Sequence, residues 1–235
     1  MQKKKREYTA PVYTIIESEK GWLVRRNERS LMTPKGTPYL VPKEGLAEAI
    51  AVEWRGQKDK IVPATMPLTQ LAATALDVMI EVRPRVIQSL IAYTRSELLC
   101  HRAERPEELV LQQEKEWQPL LDWCESEIGL RLFPTTGIMP VAPSEESIAA
   151  LQNRLETYDD YALTGLQQAA DVSGSLVLGL ALCAGRISAQ ETLALSEMDV
   201  LQQHQRWGAD PVTEARHKAV LFDLEAVERF IRIVG

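Results

Sequence analysis

The first forty residues show the hydrophobic pattern of a small β-sheet. Residues 12–17 and 21–26 are rich in β-branched and aromatic side chains and flank a charged turn, so they predict an antiparallel hairpin. Residues 31–41 contain a Thr-Pro-Lys-Gly-Thr-Pro run between two short apolar stretches, which predicts a second hairpin. Pro42 then ends the predicted sheet.

One helix is predicted directly after this sheet. Four apolar residues recur there at helical spacing, and a glycine follows them. These residues are Ala47, Ile50, Ala51 and Trp54, with the glycine at position 56. The next segment, residues 57–67, contains two prolines and is the predicted domain junction. We place the boundary after residue 65.

Helical periodicity dominates the rest of the chain. The predicted helices cover residues 68–80, 84–99, 106–128, 144–157, 160–184, 188–207 and 211–233. Pro84 is interpreted as a start signal, Ser188 with Glu191 has the sequence of a capping box, and an Asp-Pro pair precedes the last helix. Residues 131–143 predict a loop with room for one strand.

The predicted fold class is therefore α+β. A small β-rich amino-terminal domain, residues 1–65, is followed by a larger all-helical carboxy-terminal domain, residues 66–235. The two parts differ in charge: residues 1–60 contain 13 basic and 8 acidic residues, whereas the other 175 contain 14 and 25. The net charge of −6 argues against nucleic acid as a partner.

Composition indicates a soluble protein of a reducing compartment. The chain is 45% hydrophobic and 26% charged, which is typical of globular proteins. Its cysteines, Cys100, Cys124 and Cys183, are odd in number and lack metal-ligand spacing. The basic residues 3–6 lack the apolar core of a secretory signal, and residues 176–184 are too short to span a bilayer. We therefore expect a cytoplasmic protein without membrane insertion.

The sequence predicts no catalytic residue, no cofactor and no metal site. The glycine-rich motifs that bind nucleotides are absent, and the small residues 173–179 lie within one helical pattern, which favours close helix packing. Cys100 and His101 are adjacent and point in different directions from a helix, so they make a weak nucleophile and base. Asp159 and Asp160 stand where a helix cap and a first-turn acid belong.

The strongest candidate for a functional surface is the predicted helix that carries Ser196 and ends at Gly208. Asp199, Gln203 and Trp207 follow one another at spacing i, i+4 and i+8, so they share one helix face. A carboxylate, an amide and a large amphipathic ring are typical of a binding surface. The alternatives are a solvated charge at Asp199 and, at Trp207, a staple to the next helix.

Short motifs distributed from about residue 8 to residue 230 resemble those of one family. Each is weak alone, but their order and spacing together are specific. They are Gly21-Trp22 with Thr33-Pro34; Glu53-Trp54 with Gln57 and Ile61; Thr65-Met66-Pro67-Leu68-Thr69; Leu99-Cys100-His101-Arg102 before Pro106-Glu107; Glu116-Trp117 with Pro119-Leu120; Thr136-Gly137-Ile138-Met139; and Ser196, Asp199, Gln203, Trp207 and Gly208. On these residues the chain resembles the assembly chaperones that act on the alpha subunit of the F1 sector of ATP synthase.

This resemblance implies a β-rich domain followed by a helical domain, without nucleotide, cofactor or catalysis. It implies a chaperone that binds the free F1 alpha subunit and shields its subunit interface until the beta subunit replaces it. The family's functional acid falls on Asp199, where glutamate is frequent, and His101 stands where tyrosine is frequent. Without the long transit region of mitochondrial members, the chain is expected in the bacterial cytoplasm, as a monomer when free.

Two alternatives remain open at this point. One is a small-molecule enzyme with a site in the groove between the two domains, which requires clustered polar residues with shifted pKa values. Convergence of Cys100, His101 and a carboxylate in a deep pocket would support it. The other is a scaffold for a different oligomer, which co-purification of the native partner would reveal.

Overall fold

A computed structural model describes residues 11–137, 140–208 and 210–235, apart from the side chains of residues 205–207. The chain divides into two compact units, Met1–Asp77 and Val78–Gly235. The fold class is α+β, as predicted, with a small antiparallel sheet in the first unit and helices in the second. The basic residues 3–6 and the motif residues Ile138 and Met139 lie outside the described residues.

Strand β2 (Gly21–Arg26) is the centre of the sheet. Strand β1 (Tyr13–Ser18) pairs antiparallel with it along its whole length. Two short strands, β3 (Arg29–Ser30) and β4 (Leu40–Val41), also pair antiparallel with β2. The first predicted hairpin is confirmed, because β1 and β2 are joined by the short charged turn that separates them in the sequence.

Gly21 is required where β2 passes close to β4. Its φ of 133° favours glycine, and a Cβ atom there would lie 2.4 Å from the carbonyl oxygen of Val41. The turn of the second predicted hairpin is also present, because the Thr33 amide donates a hydrogen bond to the Thr37 carbonyl oxygen at 2.8 Å. This turn returns the chain to the sheet at β4.

Helix α1 (Glu44–Arg55) covers one face of the sheet. It packs on β1 and β2 and buries Leu46 and Ile50 completely against them. The apolar residues that predicted this helix therefore supply its buried face, as expected for an amphipathic helix on a sheet. Gly56 follows its last residue, as predicted.

Helix α2 (Pro67–Thr74) belongs to the first unit because Glu53 of α1 caps it. The Glu53 carboxylate accepts hydrogen bonds from the Leu68 amide at 2.9 Å and from the Thr69 amide at 2.8 Å. An acid at a helix amino terminus satisfies free N–H groups and interacts favourably with the helix dipole. The division of the chain therefore falls after Asp77, later than the boundary expected after residue 65.

The second unit contains the remaining helices of the described chain. Their bounds are α3 (Ile80–Tyr93), α4 (Glu107–Ile128), α5 (Glu145–Glu156), α6 (Asp160–Ser173), α7 (Leu176–Cys183), α8 (Ala189–Ser196), α9 (Met198–Trp207) and α10 (Pro211–Val234). The predicted helix-end residues are confirmed at Pro106, Gly129, Asp159, Ser188 and Asp210.

The predicted helix start at Pro84 is wrong. Helix α2 continues through a π-helical segment, Ala75–Met79, into α3, and Pro84 lies inside α3. Because the helical backbone is continuous from Pro67 to Tyr93, Pro84 is an interior residue, where proline removes one intrahelical hydrogen bond. The predicted continuation to residue 99 is also interrupted, because α3 ends at Tyr93 and a separate 3-10 turn follows.

The predicted continuous helix over residues 160–184 is also wrong, because Gly174 divides it into α6 and α7. Gly174 has a φ of 68° and ends α6, and the Ser175 side chain caps α7. The buried carboxylate of Glu97 accepts hydrogen bonds from the Leu176 amide at 2.9 Å and from the Ser175 hydroxyl group. These bonds satisfy the free amide groups at the start of α7 and offset the cost of the break.

A similar break at Glu197 divides the predicted helix 188–207 into α8 and α9. Glu197 has φ −108° and ψ 18°, outside the α-helical region. Ser196 and Asp199, which the sequence analysis places on one helix, therefore lie on different helices. The capping box of Ser188 with Glu191 at the start of α8 is confirmed.

The hydrophobic core of the second unit involves nearly all of its helices. Trp117, Cys124, Leu163 and Leu178 are each 2% exposed or less. Trp117 is therefore a core residue of this unit. Residues of α4 and α8 are part of this core, and both helices contact α9.

Candidate functional site

Helix α9 carries the residues predicted to form a binding surface. Asp199 lies in its first turn and Gln203 one turn later, and both are exposed. The backbone of Trp207 ends the helix, but its side chain lies outside the described residues. Gly208, with a φ of 90°, terminates α9 as predicted. The spacing of i, i+4 and i+8 therefore falls on one uninterrupted helix.

A buried amide on α4 holds Asp199 in position. The Gln113 side chain is 1% exposed, and its Nε2 atom donates a hydrogen bond to Asp199 Oδ1 at 3.0 Å. Its Oε1 atom accepts one from the Ala103 amide at 2.8 Å. An amide bonded at both ends has a fixed orientation. The other carboxylate oxygen of Asp199 forms no hydrogen bond within the described residues, and the side chain is exposed.

Further contacts fix the chain directly before α9. The Trp117 indole N–H group donates a hydrogen bond to the Leu195 carbonyl oxygen at 3.2 Å. The Glu197 carboxylate accepts one from Arg216 of α10 at 2.9 Å and lies 3.4 Å from His217 Nε2. Helix α9 therefore starts from a junction that α4 and α10 both stabilise.

An open groove lies beside this junction. It is formed by α4, α8 and the first residue of α9, and its volume is about 480 Å³. Leu120, Leu195 and Met198 give it an apolar surface, and Met198 directly precedes Asp199. Charged side chains of both signs complete the lining: Lys115, Glu116, Arg186 and Glu191. The groove therefore combines a small apolar floor with charged walls.

The residues named for the enzymatic alternative do not form a nucleophile and base. Burial raises the pKa of the Cys100 thiol to about 12, and the negative charge of Glu97 adds to the shift. The thiol is therefore protonated at neutral pH. His101 and Thr135 form an isolated parallel β-bridge, and no strand forms among the described residues of 131–143. No hydrogen bond joins Cys100 and His101 in the described part of the chain.

Gln113 and Glu97 form buried hydrogen bonds in the second unit, and neither role is predicted from the sequence. Gln113 lies four residues after Leu109 and four before Trp117, so it is a polar residue within an apolar helical stripe. That interruption is a readable signal of a buried polar group. Glu97 gives no such signal, because its partner Ser175 lies 78 residues away.

A family model described as "ATP12 chaperone protein" matches residues 5–125, just over half of the chain. The chain belongs to the ATP12 chaperone family. The family predicted from the sequence motifs is thereby confirmed, and membership assigns the protein to the chaperones of ATP synthase assembly.

Relatives of this ATP12-family protein agree with that assignment. Protein atp12, mitochondrial, from Schizosaccharomyces pombe is 25% identical over 199 residues, which cover 80% of this chain and 68% of that protein. Two structures of Atp12 from Paracoccus denitrificans, one of a point mutant, each superpose with a TM-score of 0.90 at 36% identity and 98% coverage of both chains. A chaperone candidate from Agrobacterium tumefaciens gives a TM-score of 0.89 at 30% identity, covering 95% of this chain and 84% of that one.

Two further features of the ATP12-family chain concern its described residues only. None of their helices combines the length and the hydrophobicity that crossing a bilayer requires. Their histidine, cysteine and acidic side chains form no group of three or more that could hold a metal ion.

Proposed function

We propose that this ATP12-family chaperone binds the free alpha subunit of F1-ATPase and shields its subunit interface until the beta subunit replaces it. The observation that carries the proposal is the exposed helix α9, whose Asp199 is held by a buried amide beside an apolar groove. In this proposal the protein acts as a monomer in the bacterial cytoplasm, without cofactor or catalysis.

The proposed activity answers a physical need of the client. A subunit of a ring that lacks its neighbours exposes apolar interface, and exposed apolar surface aggregates. The chaperone offers a partner of opposite charge for basic groups on such a surface, since its last 175 residues contain 14 basic and 25 acidic residues. An acidic surface also increases the rate at which a basic client is captured.

The proposed contact face consists of Asp199, Gln203, Trp207 and Gly208. Asp199 presents its free carboxylate oxygen to a cation of the alpha subunit. Gln203 is exposed without a partner among the described residues, so its amide can bond to the client backbone. Trp207 adds apolar area, and Gly208 ends the helix so that the face stops there.

The chaperone activity is tested by refolding the alpha subunit from denaturant in the presence of the purified full-length protein. We expect equimolar protein to suppress light scattering without added ATP, and added beta subunit to release the client. Full aggregation of the alpha subunit, under conditions in which an unrelated chaperone protects it, would contradict the proposal.

The contact face is tested by Asp199→Lys. We expect loss of client binding in a pull-down from a protein that still folds, with the free energy of unfolding lowered by about 1–3 kcal/mol because the buried Gln113 amide loses its acceptor. Glu127→Lys is the matched control, because Glu127 is an exposed acid of the same unit and the charge change is identical. If both variants lost client binding equally, the loss would result from the change in net charge and not from the position of Asp199.

A further inference from the structure

The first unit carries a second groove that α9 does not explain. Two adjoining depressions on this unit share the residues Met32, Trp54 and Ile61. One depression is lined mainly by apolar residues, and the lining of the other includes Arg26 and Arg29. Together they form a single feature, which we call the Trp54 groove.

The apolar end of the Trp54 groove has a volume of about 300 Å³, at the lower limit for ligand pockets. Tyr39, Pro63 and Met66 line it together with the shared residues. Of the shared residues, Met32 is 46% and Ile61 54% exposed. Large apolar side chains that are half exposed around one depression indicate a binding surface.

The Trp54 side chain packs against Tyr13 without any ligand. Its ring lies 5.7 Å from the ring of Tyr13, measured between centroids. Trp54 lies near the end of α1, on the same helix face as Ala47, Ile50 and Ala51, which are buried, and its own side chain is half-buried. An aromatic side chain on a rigid helix loses little conformational entropy on binding, so it is a suitable anchor.

The basic end of the groove carries two guanidinium groups, those of Arg26 and Arg29. Arg26 and Arg29 line it, both are exposed, and neither forms an ion pair within the described residues. Glu28 is the acidic residue that lines the same end. The charge balance of this end is therefore positive, and unpaired guanidinium groups bind carboxylates with two parallel hydrogen bonds.

We propose that the Trp54 groove is a second client-binding surface, which takes a peptide segment with a large apolar side chain next to a carboxylate. The apolar side chain enters the end lined by Tyr39 and Met66, and the carboxylate pairs with Arg26 and Arg29. This inference rests on the proposed chaperone function and deepens it, because it gives the client two contacts of different chemistry: a cation for Asp199 and an acidic-apolar segment for the groove.

Charge disfavours one alternative occupant of the groove, and a second alternative is an outcome of the test. The chain's own first ten residues contain four basic residues and one acidic residue, so the basic end of the groove repels them. A second copy of the chain could dock through its acidic helical unit. In that case Arg29→Glu would lower the apparent mass in light scattering, a result that overturns the client proposal.

The test uses the full-length protein and a fluorescent designed peptide in which one phenylalanine is flanked by aspartates. We expect saturable binding by fluorescence anisotropy, and at least about a tenfold weaker Kd in Ile61→Asp and in Arg29→Glu, which is roughly 1.4 kcal/mol. Val52→Asp and Lys20→Glu are matched controls, because both residues are exposed in the first unit and neither lines the groove. Peptides with lysine in place of aspartate, or with residues 1–10 of the chain, should not compete.

The same variants separate this inference from the proposed function. If alpha-subunit aggregation is suppressed equally by wild type, Ile61→Asp and Arg29→Glu, the groove is not a client surface, whereas the role of Asp199 stands. If the acidic peptide binds the groove but no alpha subunit is protected, the groove binds such segments and the alpha-subunit assignment fails. Peptide binding that Val52→Asp weakens as much as Ile61→Asp overturns the site.

Discussion

Glu97 and Asp199 are carboxylates of the same helical unit with opposite environments. Glu97 is 1% exposed, whereas Asp199 is exposed and accepts one hydrogen bond, from Gln113. The four donors to Glu97 are the amide groups of Leu99, Leu176 and Val177 and the hydroxyl group of Ser175. The Glu97 carboxylate is surrounded by donors of the fold, whereas the Asp199 carboxylate has one donor among the described residues.

The difference separates a buried acid that the fold requires from an exposed acid, which our proposal makes a contact residue. Burial raises the pKa of Glu97, and the hydrogen bonds from the surrounding donors oppose that shift. The fold therefore tolerates this buried carboxyl group only when all of its hydrogen-bond donors are present. Asp199 needs no such set because water solvates it. The number of donors and the exposure, rather than the residue type, therefore distinguish their roles.

The largest expected effect is that of Glu97→Ala. The substitution leaves the amide groups at the start of α7 buried without an acceptor, so we expect the free energy of unfolding to fall by about 3 kcal/mol or more. Glu97→Gln keeps one acceptor oxygen and should lose less. Urea unfolding followed by circular dichroism measures both changes.

Glu127→Ala is the control for this series, because Glu127 is an exposed acid on α4. It should change the free energy of unfolding by no more than about 0.5 kcal/mol. A Glu97→Ala variant as stable as Glu127→Ala would show that the helix break does not depend on the buried carboxylate.

The sequence predicts local features of this fold well and distant ones poorly. The capping box at Ser188 and the end of α9 at Gly208 are set by neighbouring residues, and both are confirmed. The break at Gly174 has a local signal too, since glycine followed by Ser175 can end one helix and cap the next. The apolar pattern continues across Gly174, however, and it predicts one helix. Glu97 stabilises the break by accepting hydrogen bonds at the start of α7, and its distance along the chain means that no sequence pattern reveals this contact.

The candidate site follows the same division. The stripe from Asp199 to Trp207 is readable because its spacing lies within one helix. That Gln113 bonds to Asp199 cannot be read from the chain, because the two residues are 86 positions apart. The groove beside α9 combines α4 and α8 in the same way, so it emerges only from the packed structure.

A medium effect is expected from Gln113→Leu, which removes the amide but keeps most of its volume. The Ala103 amide then loses its acceptor and Asp199 loses its donor, so we expect a loss of about 1–3 kcal/mol in the free energy of unfolding. Gln112→Leu is the matched control, because Gln112 is the adjacent residue and is exposed. Equal stability of the two variants would contradict a structural role for the buried amide.

The smallest expected effect on stability comes from Asp199→Asn, and it decides between the two roles of this residue. In a double-mutant cycle with Gln113→Leu, we expect a coupling below about 0.5 kcal/mol in the free energy of unfolding, because asparagine keeps an Oδ1 atom that accepts the Gln113 hydrogen bond. Binding of the alpha subunit gives the second measurement. If Asp199 contacts the client, Asp199→Asn weakens binding also in the Gln113→Leu background, because the lost contact lies on the free oxygen. If Asp199 only orients α9 through Gln113, the second substitution changes binding no further.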